Sequence, residues 1–575
     1  MADSSLRAAH RPILSAVGAA SQGGSPIKTN VLYYGDNLDI LRRYIPDESV
    51  DLVYLDPPFN SDRNYNVIFK DESGRKSDAQ LVAFEDTWHW GPSAEATYAY
   101  LTETGRHQGR VPDTVSTIMA ALRSGIGENQ MMAYLVEMAV RLVELRRVLK
   151  PTGSLYLHCD PTASHYLKIL LDAIFGPEHF LADLIWKRTT THSDAKRWSP
   201  DADHILAYSN TRHFTFNPVY TANSEAYRAG EFRYTDPDGR RFSLDNIASP
   251  NPRPNLMYEW MGHQPPAKGW RFSETTMARL HAEGRIFYRG EGKRPRVKRY
   301  LDEMKGTRVG SVWTDLPNVH PWSSERLGYP TQKPISLLER ILSASSDSGD
   351  VVLDPFCGCG TALVAAQKLD RKWIGIDVTY LSIAVMRARL KDTFGLADVE
   401  VIGQPTEVEG ARQLAQSPEG RYQFQWWALG LIDAQPVGGV ERKGADRGID
   451  GRITFTGQDK KLESVLVSVK SGHVNSGQVR DLKGTLEREK AAMGIFVTLE
   501  EPTREMRLEA TTAGVYRVWE RDYPKIQIVS IRELLEEGRR PALPPLVLPT
   551  FQQAERVKER SGQQMTLEEL DGPGR

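Results

Sequence analysis

Apolar residues arrive in short runs separated by stretches with helical spacing. Val31-Leu32-Tyr33-Tyr34 is a strand-length run that stops at Gly35-Asp36, and a helical stretch follows over Leu38–Tyr44. Val50-Asp51-Leu52-Val53-Tyr54-Leu55 is a second run, ending at Asp56. Residues 131–149 carry apolar positions at helical spacing and stop at Lys150-Pro151-Thr152-Gly153, a helix end followed by a turn. Ser154–His158 reads as a strand and Tyr166–Phe175 as a helix. The alternation resumes with helix Thr331–Ser345, strand Val351–Leu353, helix Thr361–Lys368 and strand Trp373–Ile376, closed by Asp377. Alternation of this kind predicts an α/β fold, a sheet with helices on its faces.

Between about 187 and 325 the periodicity weakens and Arg, Gly, Pro and aromatic residues dominate, which predicts an irregular insertion. A polar linker around 403–420 precedes a second unit over 421–545, with strands Val465–Val467 and Gly494–Val497 and a helical stretch Gln478–Met493. Residues 1–28 and 546–575 read as tails. At 575 residues the chain exceeds one ordinary core, so at least two domains are expected. The net charge of -1 supplies no global attraction to nucleic acid, so any such surface is a local patch. Three cysteines exclude a disulfide scaffold and suit a reducing cytoplasm. No apolar run approaches the ~20 residues a membrane span needs. Arg7 and Arg11 before Ile13–Val17 faintly suggest an export signal, but that run is too short, and a cytoplasmic location is expected.

Two loops carry chemistry. In Asp354-Pro355-Phe356-Cys357-Gly358-Cys359-Gly360 a strand end passes through glycines into a helix, bringing backbone N–H groups close to a ligand. Asp377 at the next strand end is an acceptor for ribose hydroxyls. By itself this loop also reads as a tight βα turn; its Cys-x-Cys lacks the second cysteine pair of a zinc site. In Asp56-Pro57-Pro58-Phe59 two prolines fix the backbone and remove donors, leaving carbonyl and carboxylate acceptors beside an aromatic face. That set suits an exocyclic amine on a flat ring. Accepting its hydrogens localises the nitrogen lone pair and makes the nitrogen a better nucleophile. The bland alternative is a rigid turn with a buried Phe.

With both loops the chain resembles the amino-DNA methyltransferases, which methylate adenine N6 or cytosine N4 from S-adenosylmethionine. The resemblance spans about residues 31–395 and includes Tyr34-Gly35-Asp36-Asn37, Leu157-His158-Cys159-Asp160-Pro161, Arg299–Gly306 and Gly328–Pro334. It implies a Rossmann-like methyltransferase domain over 29–402, with 187–325 as target-recognition insertion. The amine loop precedes the cofactor loop, as in the permuted β group. Asp56 and the Pro57 carbonyl are then expected to hold the amine on the Pro58-stiffened loop, with Phe59 stacking on an extruded base. Asp36, Phe356, Gly358, Gly360 and Asp377 would bind the cofactor, with Asp354 near the sulfonium and Thr331, Lys333 and Pro334 closing over it. Double-stranded DNA is the expected partner, with a homodimer or a restriction subunit left open. Adenine is favoured because the loop opens with Asp rather than Ser, and cytosine N4 is the alternative. Cytosine C5 chemistry needs a Pro-Cys nucleophile, and Cys159, Cys357 and Cys359 follow His158, Phe356 and Gly358.

Inside the insertion, Arg285, Arg289, Lys293, Arg294, Arg296, Lys298 and Arg299 interleave with Phe287, Tyr288 and Tyr300, a pattern suited to phosphate contact and stacking. Trp186-Lys187-Arg188 and Lys196-Arg197-Trp198 add to it. The 421–545 unit contains Lys443–Gly451 and Val467-Ser468-Val469-Lys470 and resembles Mrr-like restriction-endonuclease domains, a smaller α/β fold. Asp450 and Lys470 match the nuclease pattern. Ser468 stands where an acidic residue or Gln is expected, and the upstream Glu position reads Gln423-Phe424-Gln425. A DNA-binding or damaged nuclease module is expected. Mg2+ would be required only if the domain cut DNA, giving a fused restriction–modification enzyme.

Overall fold

A computed structural model describes residues 27–58, 64–70, 76–85, 88–190, 198–290, 293–320, 322–327, 329, 331–416, 418–437, 448–458, 461–545 and 547–548. Phe59, Lys196, Arg197, Lys443–Arg447 and nearly all of both tails lie outside these residues. The chain divides into two compact units, Pro218–Gly310 and the remainder.

The larger unit is built on a nine-stranded sheet. In chain order its strands are β1 (Val31–Tyr34), β2 (Val50–Leu55), β3 (Leu149–Cys159), β4 (Phe180–Lys187), β5 (Ala202–Ser209), β6 (Val312–Trp313), β7 (Val351–Asp354), β8 (Lys372–Asp377) and β9 (Glu400–Ile402). Across the sheet they lie β6-β4-β5-β3-β2-β7-β8-β1-β9. The six from β3 to β9 run parallel, while β5 is antiparallel to β3 and to β4. The helices concerned are α1 (Asn37–Tyr44), α2 (Gln130–Val148), α3 (Pro161–Phe175), α4 (Ile335–Ser345), α5 (Thr361–Lys368) and α6 (Tyr380–Phe394). A sheet covered on both faces demands continuous apolar strands, which is why β2 and β7 do not alternate. Leu135, Leu142 and Leu145 of α2 and Leu167 and Leu171 of α3 share one core with Val53, Leu55, Leu157 and Leu353.

Two segments far apart in sequence meet because β2 and β7 are neighbours, with Leu52 opposite Val352 and Val53 opposite Leu353. Their C-terminal ends therefore release Asp56 and Pro355 side by side, in the crevice where open parallel sheets bind ligands.

Several elements differ from the sequence reading. Helix α3 begins at Pro161, five residues early, because the Asp160 carboxylate caps it by accepting from the Thr162 and Ala163 N–H groups. Helix α4 begins only at Ile335, since a residue before proline is held out of the helical region and Pro334 follows Lys333. The 187–325 stretch is not uniformly irregular: β5 and β6 belong to the main sheet, and the compact smaller unit is confined to 218–310. The apolar run Ile205–Tyr208 is the signal for β5.

The smaller unit holds a four-stranded antiparallel sheet and a core of Ile247, Trp260, Trp270, Met277, Leu280, Ile286 and Val297. C-terminal to β9 come α7 (Val408–Leu414), inside the segment expected to be a linker, and α8 (Pro418–Leu431). A five-stranded sheet follows, β10 (Gln435–Pro436), β11 (Gly451–Thr456), β12 (Leu462–Lys470), β13 (Met493–Thr498) and β14 (Ile526–Ser530), in that order across the sheet.

Candidate functional site

The loops at the ends of β1, β2, β7 and β8 enclose a cavity of about 250 Å³. Its lining includes Asp36, Asp56, Pro58, Thr331, Lys333, Asp354, Phe356, Gly358 and Asp377. These sequence candidates are joined there by Tyr54, Trp88, Arg141 and Tyr329, which the sequence reading did not single out.

Gly358 and Gly360 turn the cofactor loop with φ of +51° and +73°, a region costly for any residue with a Cβ. A Cβ on Gly358 would stand 3.2 Å from the Tyr329 ring. Tyr329 is itself fixed by its hydroxyl, 3.0 Å from Ser382 Oγ. The Gly358 N–H donates to Asp377 Oδ2 at 2.9 Å, and Asp377 Oδ1 accepts from the Thr379 N–H and hydroxyl. Asp354 is buried beneath the loop and accepts the Phe356 N–H at 3.0 Å. Burial pushes the carboxyls of Asp354 and Asp377 above the usual carboxylate range, Asp354 well above it, with Asp56 and Asp377 adding to the push on Asp354.

On the amine side, Lys333 Nζ lies 2.5 Å from Asp56 Oδ2, and both side chains are largely buried. Lys333 thus balances the Asp56 charge instead of facing solvent. Pro334 ends this segment as the N-cap of α4, and Thr331 adopts φ of +62° at the cavity mouth. The β1 loop is tied in by Arg141, whose guanidinium donates to Asn37 Oδ1 and pairs with Asp36 Oδ2 at 2.8 Å. Asn37 Nδ2 in turn donates to the Pro355 carbonyl at 2.9 Å. Of the three arginines of α2, Arg141 is the one flanked on both sides by apolar residues, and that was the available signal for it.

All three cysteines are buried, and burial pushes each thiol up, away from the thiolate that a cysteine nucleophile needs. The Cys357 thiol donates to the Asp354 carbonyl. Among the described residues no group of three or more His, Cys, Asp or Glu side chains is placed to hold a metal.

Residues 50–384, more than half the chain, match the N6_N4_Mtase DNA methylase family. The chain belongs to this DNA methylase family. The methylase is 35% identical over 261 residues to the type II methyltransferase M.EcaI of Enterobacter cloacae, covering 45% of this chain and 57% of that protein. It is 25% identical over 369 residues to the StyLTI Mod subunit, a type III restriction–modification enzyme of Salmonella typhimurium, covering 60% of this chain and 50% of that protein. The chain thus spans about half the length of these relatives. Among solved structures, the cytosine-N4-specific PvuII DNA methyltransferase aligns with 62% of this chain and 84% of its own, at 13% identity and a TM-score of 0.29.

Residues 436–536 match the NACHT-associated inactive Restriction Endonuclease 1 family, a restriction-endonuclease-like domain, as expected from sequence. The geometry around Asp450 agrees with the word inactive. Asp450 Oδ2 accepts from the Val469 N–H at 2.7 Å, from Ser468 Oγ at 3.2 Å and from Lys470 Nζ at 3.5 Å, while Gln425 Nε2 donates to Oδ1 at 3.2 Å. Donors surround the carboxylate where a divalent cation needs further oxygen acceptors. Glu463 sits towards the far end of β12, opposite Phe455, and accepts from the Tyr516 hydroxyl.

In the smaller unit, Arg289, Lys293 and Arg294 are exposed and Arg296 is half-buried. Lys298 lies 2.5 Å from Asp236 Oδ1, and Arg285 pairs with Glu303. Arg299 lies 3.8 Å from Asp245, so three of the basic residues have acidic partners within their own unit. Among the described residues no helix is long and apolar enough to cross a membrane.

Proposed function

We propose that this protein is a site-specific DNA methyltransferase of the permuted β group, transferring methyl from S-adenosylmethionine to N6 of adenine in double-stranded DNA. The observation that carries this reading is the meeting of Asp56, balanced by Lys333, with the glycine loop of Asp354–Gly360 in one cavity. The lining fits the cofactor on three counts. Gly358 keeps Cβ atoms out of the approach to the loop. Asp377 presents acceptors to ribose hydroxyls, and Asp354 offers a buried carboxyl near a cationic group. The cofactor, when bound, supplies an electrophilic methyl on a sulfonium.

The remaining work falls to the chain. Asp56 and the Pro57 carbonyl accept the two amine hydrogens, which aims the nitrogen lone pair out of the ring plane. Pro57 and Pro58 hold these acceptors rigid, so the rate derives largely from positioning. Phe59 stacks on the extruded base. The smaller unit and its flanks, within 187–325, read the target, with Arg289, Lys293, Arg294 and Arg296 available for phosphate contact, joined by Lys298 once it leaves Asp236. The StyLTI relative, a Mod subunit of a restriction–modification enzyme, supports a role in such a system beside a restriction subunit; a homodimer is the alternative, and a cytoplasmic location goes with a DNA substrate. The saturated Asp450 argues against a magnesium-dependent nuclease in the same chain.

Purified protein incubated with methyl-labelled S-adenosylmethionine and varied duplex DNA, followed by nucleoside analysis, tests the reading. N6-methyladenine is the expected product. N4-methylcytosine alone would transfer the same chemistry to cytosine, and no labelled nucleoside on any DNA would overturn it.

A further inference from the structure

Tyr54, His158 and Asp203 stand on adjacent strands β2, β3 and β5 and are 2%, 0% and 1% exposed. The Tyr54 hydroxyl lies 3.0 Å from His158 Nδ1, and His158 Nε2 lies 3.1 Å from Asp203 Oδ2. At the far end, Arg188 Nε faces Asp203 Oδ1 at 3.2 Å from a side chain that is 37% exposed. At the near end, Tyr54 lines the cavity with Asp56 and Asp354. A hydrogen-bonded line from Tyr54 through His158 to Asp203 therefore crosses three strands from the reaction cavity, and Arg188 closes its far end as an ion-pair partner.

The chemistry of the groups sets its direction. A carboxylate can only accept, so His158 Nε2 carries a hydrogen for Asp203, and Nδ1 of a neutral ring is left to accept from the Tyr54 hydroxyl. Burial opposes the Asp203 charge, while the His158 Nε2–H hydrogen bond and the nearby cations Lys333 and Arg188 favour it, and Asp203 lies below the usual carboxylate range. Burial, with Asp56, Asp354 and Asp203 nearby, keeps the Tyr54 phenol protonated. Apolar side chains would knit the three strands without the desolvation cost of three buried polar groups. Cohesion of the sheet thus does not account for them.

We propose that Tyr54, His158 and Asp203 form a proton relay that takes up the proton released when the target amine is methylated. The proposal rests on the methyl-transfer reading. As the N–C bond forms and the S–C bond leaves its electron pair on sulfur, the nitrogen holds one hydrogen too many. The N–H held by the Pro57 carbonyl, an acceptor too weak to keep a proton, leaves its pair on nitrogen, and that proton passes to Tyr54 Oη. The hydroxyl's own proton moves to His158 Nδ1, and the resulting imidazolium is stabilised by the Asp203 carboxylate, which itself stays ionised. Tyr54 would be the catalytic residue, and His158 and Asp203 act through it.

The test compares the full-length wild type with Tyr54→Phe and Asp203→Asn. Tyr54→Phe should lower the single-turnover methyl-transfer rate about a hundredfold. Its S-adenosylmethionine Kd by calorimetry should stay within about twofold of wild type, which also shows that the cavity is folded. In 15N-histidine spectra of the protein without DNA, His158 should show a bare Nδ1 and a protonated Nε2, and Asp203→Asn should disturb that tautomer. A Tyr54→Phe rate within about twofold of an active wild type, or a protonated Nδ1 in the resting protein, would overturn the relay alone. No transfer by the wild type would overturn the methyl-transfer reading and the relay with it.

Discussion

Asp354 and Asp377 sit where a sulfonium and a ribose are expected, and burial raises both carboxyls in the free protein. A raised carboxyl takes up a proton as pH falls through its raised value. A bound cation, or hydroxyls donating to the carboxylate, favours the ionised form and expels that proton. Affinity for S-adenosylmethionine should therefore rise with pH from the ordinary carboxylate range up to the raised values and flatten above them. Calorimetry in buffers of different ionisation enthalpy should show net proton release on the acidic side; uptake, or none, would contradict these assignments. At this scale the sequence was readable where a residue type has few structural alternatives. Asp56, Gly358 and Asp377 stood out, whereas Tyr54 lay inside an apolar strand run, Tyr329 inside the Gly328–Pro334 motif without a role of its own, and Arg141 in a helix whose approach to the β1 loop depends on the pairing of distant elements.

The elements explain why the glycine loop tolerates so little. Gly358 combines a positive φ with a Tyr329 ring against its missing side chain, and Tyr329 is held by Ser382 at the start of α6. Gly358→Ala carries a backbone cost of about 1–2 kcal/mol and must also push the ring aside. We expect a lower Tm and a cofactor Kd weakened at least about tenfold, both read on the purified variant; unchanged binding would show that the ring and loop do not shape the pocket. Strands and helices with strong periodicity were legible in advance, including β1, β2, β7 and α5. The errors fell at boundaries and in mixed segments. Pro334 and the Asp160 cap moved two helix starts, and β5 was hidden in a span whose average composition looks irregular.

Across the whole chain, a cofactor crevice and a nuclease-like sheet follow each other, and α8 touches both. Gln423 of α8 accepts the Tyr380 N–H at 3.1 Å, just after the Asp377–Thr379 turn, while Gln425 on the same helix donates to Asp450. The two glutamines that replace an expected acidic ligand therefore fasten one domain to the other. Asp450→Ala leaves the buried Val469 N–H without its acceptor, at about 1–3 kcal/mol, and frees the half-buried Gln425 amide. Thermal unfolding should show the C-terminal domain destabilised, and magnesium should produce no DNA cleavage by the wild type. Magnesium-dependent cutting lost in Asp450→Ala would contradict this structural role.

The central claim, that the Asp56 loop and the Asp354–Gly360 loop form one amine-methylating site, is tested most directly in a methylation-free bacterial host. Modification-sensitive sequencing of its genome should reveal N6-methyladenine at a defined sequence when the wild type is expressed, and none with Asp56→Ala. A genome without methylated amines, or one methylated equally by the Asp56→Ala variant, would contradict the claim.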